Sequence, residues 1–177
     1  MEFLYLKDAG LLSNIAYPTV LCKERTVDLI LSFDFSEGDP FQTIRFAKEY
    51  CDKNHIMFPD INEAENADVS YPNDCYIFKG NKEEKKPTVM HFPLFNKANC
   101  KERTGIQQYI EEFNTMKLTY TEESFSKLIN AAKKNVQNNI HFITAEIKKL
   151  VTEEVIFKAK MYLNTLALLA MQEDASK

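Results

Sequence analysis

An α/β first half followed by a helical end is the fold class this sequence predicts, and three observations predict it. Val27–Phe33 is β-branched and nearly continuous in apolar character, as a buried strand is, and Thr88–Phe92 reads as a further, short strand. Between them, Phe41, Ile44, Ala47, Tyr50 and Cys51 recur at helical spacing. From Thr119 onward the helical period returns and no further strand pattern follows. The α/β part is expected over 1–117 and the helical end over 118–177 of a single partial domain.

In chain order, the first apolar run, Phe3-Leu4-Tyr5-Leu6, stops at Lys7 and the turn-like Asp8-Ala9-Gly10. After the strand at Val27–Phe33, Asp39 is suited to cap free amides and Pro40 to stand at the first helical position. Met57 to Asn73 is polar, holds two prolines and lacks a period, which predicts a surface excursion. Cys75-Tyr76-Ile77-Phe78 and Thr88–Phe92 then read as two strands of a hairpin, with the charged stretch Lys79–Lys86 as its exposed loop. Asn96–Lys117 is polar and weakly specified. Thr119 and Glu122 stand in capping-box spacing. Behind them Phe125, Leu128, Ile129, Ala132 and Val136 form one apolar face, expected to point inward. A second amphipathic stretch, from Phe142 to about Leu169, is expected to turn Ile143, Ile147, Leu150, Val151 and Ile156 inward.

Composition removes several functions. A net charge of −4 lacks the basic face of a nucleic-acid binder, although a local patch can still meet a membrane surface. Cys22, Cys51, Cys75 and Cys100 form no C-x-x-C pair, so they read as reduced thiols rather than as a zinc or redox motif. His55, His91 and His141 are isolated from one another and predict no metal site. Only four glycines are present, too few for a phosphate-cradling loop, and neither a calcium loop nor a G-x-S-x-G elbow occurs. The sequence implies no cofactor, no secretion signal and no transmembrane segment. Asp28 and Asp34 read as structural acids at strand ends. Asp8 stays open on the residues alone: a tight-turn acid before a flexible glycine, or a carboxylate at a sheet edge able to accept a proton.

The ordered segments bear a family likeness. Asp8-Ala9-Gly10, Asn14 to Pro18, Ser32-Phe33-Asp34-Phe35-Ser36, Gly38-Asp39-Pro40-Phe41, Cys75 to Gly80 and Val89 to Asn96 resemble the C-terminal part of the cytosolic phospholipase A2 catalytic domain. The later segments look most like the gamma, calcium-independent type. The resemblance covers about residues 3–100 and thins over the helical tail, where Ala132 to Val136 echoes it.

The resemblance implies a portion of a patatin-like three-layer catalytic domain that hydrolyses acyl esters of glycerophospholipids and lysophospholipids by a Ser–Asp dyad. It places Asp8 as the general base. The family's G-x-S-G-S serine, oxyanion glycines and phosphate-contacting arginine have no counterpart here, so the chain by itself is expected to be inactive. It is expected to be a truncated or genuinely short product, cytoplasmic and peripheral on intracellular membranes. Asp174-Ala175-Ser176-Lys177 carries no prenylation cysteine. The alternative is a non-catalytic fragment that binds membrane or a protein partner.

Overall fold

The structure, a computed structural model, describes residues 15–22 and 25–175, with side chains described as far as Leu166. Two compact units divide the chain after Asn139.

The first unit is built on a mixed sheet. Strands β1 (Leu29–Asp34) and β3 (Thr88–Pro93) pair in parallel, and β2 (Tyr76–Phe78) pairs antiparallel with β3, giving the order β1-β3-β2 among the described residues. β3 is central and buried along its whole length, the polar Thr88 and His91 included. β1 departs from expectation. Its covered side carries Ile30, Ser32 and Asp34, whereas Leu31 is exposed. The apolar run is therefore not buried on both faces, and the covered positions hold polar groups that need partners.

The β2–β3 hairpin forms as expected, with an Asn81–Lys86 bridge closing its charged loop. Gly80 is required there, because a Cβ at that position would collide with the Lys86 carbonyl.

Helix α1 (Tyr17–Val20) precedes the sheet, and α2 (Gln42–Asn54) packs Ile44, Ala47 and Cys51 into the core. α2 starts two residues later than Asp39-Pro40 suggests. The Asp39 carboxylate accepts from the Phe41 amide at 2.9 Å, so it organises the turn ahead of the helix instead of capping it. Phe41 is fully buried, edge-on to Tyr76 with ring centroids 4.9 Å apart; its burial stabilises by roughly 2–3 kcal/mol.

The segment expected to be a surface excursion is corrected. Phe58, Ile61 and Ala64, the last within α3 (Asn62–Glu65), are core residues, and Phe58 meets Tyr17 edge-on. Their spacing follows no period because most of this stretch is irregular backbone.

Two helices occupy the region that the sequence left unspecified: α4 (Lys97–Cys100) and α5 (Arg103–Glu112). Asn96 starts α4 with a complete capping box, its side chain accepting from the Ala98 and Asn99 amides.

The helical end is one helix, α6 (Glu122–Ala175), and not two stretches. Its start is capped by Thr121, whose hydroxyl accepts from the Ser124 amide at 3.1 Å, two residues beyond the expected Thr119. Its expected inward face is also corrected. Phe125, Ile129 and Val136 are exposed, and the buried positions are Ser124, Ala131, Asn135 and Asn139. In the second unit, from Ile140 onward, Ile143 is buried as expected, but Ile147, Val151 and Ile156 are exposed.

Candidate functional site

β1 and β3 end in register at Asp34 and Pro93, and parallel strands place ligand sites at their carboxyl ends. A cavity of about 420 Å³ lies at this edge. Its walls come from the loop after β1 (Phe35, Ser36, Glu37), the loop after β3 (Leu94, Phe95), and Ile110, Phe113, Tyr120 and Ile129 of the helical layer. Apolar walls with few polar groups suit an apolar ligand segment. Phe95, Tyr109, Phe113 and Tyr120 form a chain of ring contacts with centroids 5.1–6.0 Å apart. The Glu37 carboxylate accepts from the Thr115 amide at 2.7 Å and joins two walls at the rim. That hydrogen bond to Thr115 holds its pKa below the usual carboxylate range.

The polar inner side of β1 holds the first wall. Asp34 accepts from the Thr43 hydroxyl at 2.5 Å and from the Ser36 amide at 2.7 Å, pinning the loop to α2. His91 on β3 links Ser32, 3.1 Å from Nδ1, to the Pro40 carbonyl, 2.7 Å from Nε2. A carbonyl only accepts, so Nε2 carries the proton and the Ser32 hydroxyl donates to Nδ1. Burial pushes the His91 pKa down, against the opposing pull of Asp34 and the Pro40 carbonyl. The Asp34 carboxylate lies 4.0 Å from Nε2. Ser32, His91 and Asp34 are all buried, and the ring nitrogens are committed to Ser32 and a backbone carbonyl. Despite its composition this cluster is a scaffold for the loop 35–40 and not a hydrolytic triad. Within that loop Gly38 has φ +89°, and no atom lies within 4 Å of where a Cβ would stand.

The second wall is held by amides. Asn96 Nδ2 donates to the Pro93 carbonyl at 2.9 Å and to Asn135 Oδ1 at 3.1 Å, and Asn135 Nδ2 donates to Pro93 at 2.8 Å. Asn139 extends the set to Asp74 at 3.1 Å. The start of α6 is tied to α5 by the Lys127–Glu112 ion pair and by the Ser124 hydroxyl donating to Glu112 at 3.2 Å.

Of the residues singled out in sequence, Asp8 lies outside the described residues. His91 and Asp34 come together in the scaffold just described. His55 ends α2 in a left-handed conformation (φ 55°), and His141 lies on α6. Among the described residues no group of three His, Cys, Asp or Glu side chains could hold a metal ion. Burial raises the thiol pKa of Cys51 and Cys100 to about 11 and that of Cys75 to about 12, which keeps them protonated and unreactive. Ile110 and Phe113 escaped notice because they stand in the polar stretch before α6.

No family model matches the chain. It is similar to human cytosolic phospholipase A2 gamma, 44% identical over 165 residues, covering 91% of this chain and 28% of that protein. The mouse gamma protein is 41% identical over 152 residues, covering 84% of this chain and 25% of its own. The chain belongs to the cytosolic phospholipase A2 family. Within it the likeness is to the C-terminal part, and the chain spans about a quarter of the length of these curated relatives. The structure of human GIVD cytosolic phospholipase A2 matches with a TM-score of 0.67 at 24% identity, over 82% of this chain and 21% of that one. That match shows that the mixed sheet and its helices have the fold of this family.

Proposed function

We propose that the chain is the part of a phospholipase A2 or lysophospholipase catalytic domain that supplies the general base, Asp8, of a Ser–Asp dyad. The observation that carries this reading is the 44% identity to the human gamma protein over 91% of this chain; the resemblance of Asp8-Ala9-Gly10 and the later segments to the family's motifs supports it.

In the proposed reaction the serine oxygen bonds to the ester carbonyl carbon as its proton passes to the Asp8 carboxylate. The tetrahedral intermediate then collapses, breaking the bond to the glycerol oxygen, which takes the proton from Asp8 as it leaves. A water molecule, deprotonated by Asp8, then attacks the acyl-serine carbonyl carbon; the bond to the serine oxygen breaks, that oxygen takes the proton back from Asp8, and the fatty acid leaves. The nucleophile belongs to a G-x-S-G-S segment that nothing in this sequence matches. The aromatic cavity at the carboxyl edge of β1 and β3 supports the reading, because its walls suit an acyl chain. The reading extends to calcium-independent action at cytoplasmic membrane surfaces.

Asp8→Asn in the intact enzyme tests the proposal. The near-isosteric amide cannot accept the proton, and hydrolysis of lysophosphatidylcholine is expected to fall about 10²–10⁴-fold with the circular dichroism unchanged. Turnover near the parent level would return Asp8 to its role as a turn residue. Activity of the parent enzyme is expected to persist in a calcium chelator, and its loss there would remove the calcium-independent part of the reading.

A further inference from the structure

The second unit carries an exposed apolar face on α6. From Val151 to Leu166, α6 advances ~100° per residue, which gathers Val151, Val155, Ile156, Ala159, Tyr162, Leu163 and Leu166 on one side, with Thr152 among them, its hydroxyl donating to the Lys148 carbonyl at 2.9 Å. This side faces solvent, with Val155 62%, Tyr162 67% and Leu163 63% exposed. Charge is sorted around it. Lys158 borders one edge and Lys149 and Lys160 border the other, while Glu153 and Glu154 stand further round, toward the opposite side. Over Ile147–Leu166 there are four lysines and two glutamates, in a chain whose net charge is −4. The pairs Lys149–Glu153 (3.6 Å) and Lys158–Glu154 (3.0 Å) are partly exposed and hold the lysine heads only weakly; Lys149 also lies 3.7 Å from the buried Glu146.

We propose that the helix Val151–Leu166 lies flat on an anionic phospholipid surface. The apolar side enters the boundary of the acyl chains, and Lys149, Lys158 and Lys160 reach from its borders to the headgroups. Lysines at the edges of an apolar face can bury their methylene stems while the ammonium groups stay at phosphate level. Among the described residues no helix is long and apolar enough to cross a membrane, so the helix rests on the bilayer. A coiled coil with a second copy is disfavoured by the same face. One heptad before Val155 and Ile156 stand Lys148 and Lys149, so the apolar pattern lasts too few heptads to form a seam. Phe157 and Met161, on the other side, share it with Glu153, Glu154 and Asn164. The choice of lipid as partner rests on the phospholipase reading, but the contact needs no hydrolysis.

The test is sedimentation of the full 177-residue chain with vesicles of ether-linked phosphatidylcholine and phosphatidylserine, which contain no acyl ester. Binding is expected to weaken at about 0.5 M salt and to be weaker still on phosphatidylcholine alone. Val155→Glu with Leu163→Glu is expected to lower partitioning about tenfold or more, whereas Phe157→Glu on the opposite side should leave it near the parent value. Circular dichroism checks that all three proteins stay helical. If the double variant loses helix, Lys158→Glu with Lys160→Glu, whose apolar face is intact, must show the loss on anionic vesicles instead. Absence of binding to anionic vesicles would overturn the proposal, as would equal loss in Phe157→Glu. A chain that is dimeric by light scattering, loses dimerisation in the double variant and ignores vesicles would assign the face to a second copy. Binding with an active Asp8→Asn enzyme would refute only the dyad.

Discussion

Replacing Asn135 by Ala isolates the contact that ties α6 to the end of β3. Asn135 is almost completely buried. Its Nδ2 donates to the Pro93 carbonyl at 2.8 Å, and its Oδ1 accepts from Asn96 at 3.1 Å. Both bonds vanish in the variant, at about 1 kcal/mol net each. The Pro93 carbonyl keeps its bond from Asn96 Nδ2 at 2.9 Å, so no acceptor is stranded there, and only a small void adds about 1 kcal/mol. Ala forms helix better than Asn, which returns roughly 0.5 kcal/mol. The expected loss is about 2–3 kcal/mol, read as a lower urea midpoint with an unchanged slope. Asn138→Ala, at an exposed position of the same turn, should change stability by less than about 0.5 kcal/mol. Equal small effects at both positions would refute the view that buried amides, and not apolar packing, seat this helix.

His91 gives a pH signature. Burial lowers its pKa in the folded protein, so below the unfolded value of about 6.5 the unfolded chain binds the extra proton. This stabilising contribution is complete above pH ~6.5 and is lost as pH falls toward the folded pKa, by at most about 1.4 kcal/mol per pH unit. Urea titrations at about pH 7 and about pH 5 should show a drop that His91→Gln reduces, and an unchanged drop would remove His91 as its source. Gly80→Ala forces a Cβ against the Lys86 backbone and should cost about 2 kcal/mol, or roughly 4–8 °C in Tm by calorimetry. A shift smaller than about 1 °C would show that the hairpin opens freely.

The sequence was legible wherever burial and apolar character coincide. The β2–β3 hairpin, the central strand and the core face of α2 all follow from period and composition. Legibility failed where polar groups are buried. Ser32 and Asp34 take the covered side of β1, and Asn135 and Asn139 take that of α6. The hydrophobic pattern therefore points to the wrong face of that helix, since amides that find each other and a backbone carbonyl can replace apolar contact. Phe58 and Ile61 were hidden in the same sense, because irregular backbone has no period to betray which residues turn inward. The site was readable only through kinship. The proposal for Asp8 rests on the order of family segments, whereas the cavity walls are assembled from separate stretches whose convergence no local pattern announces.

Gly38 shows how the cavity loop filters inherited change. Its φ of +89° excludes most L-residues, yet nothing lies within 4 Å of the place a side chain would take. Size is therefore irrelevant there and handedness is everything. Replacements should rank by tolerance of a positive φ, with Asn and Asp least damaging and Val and Ile most. Over generations such a position drifts along an axis unrelated to volume, so an Asn is admitted where a Val of similar size is refused.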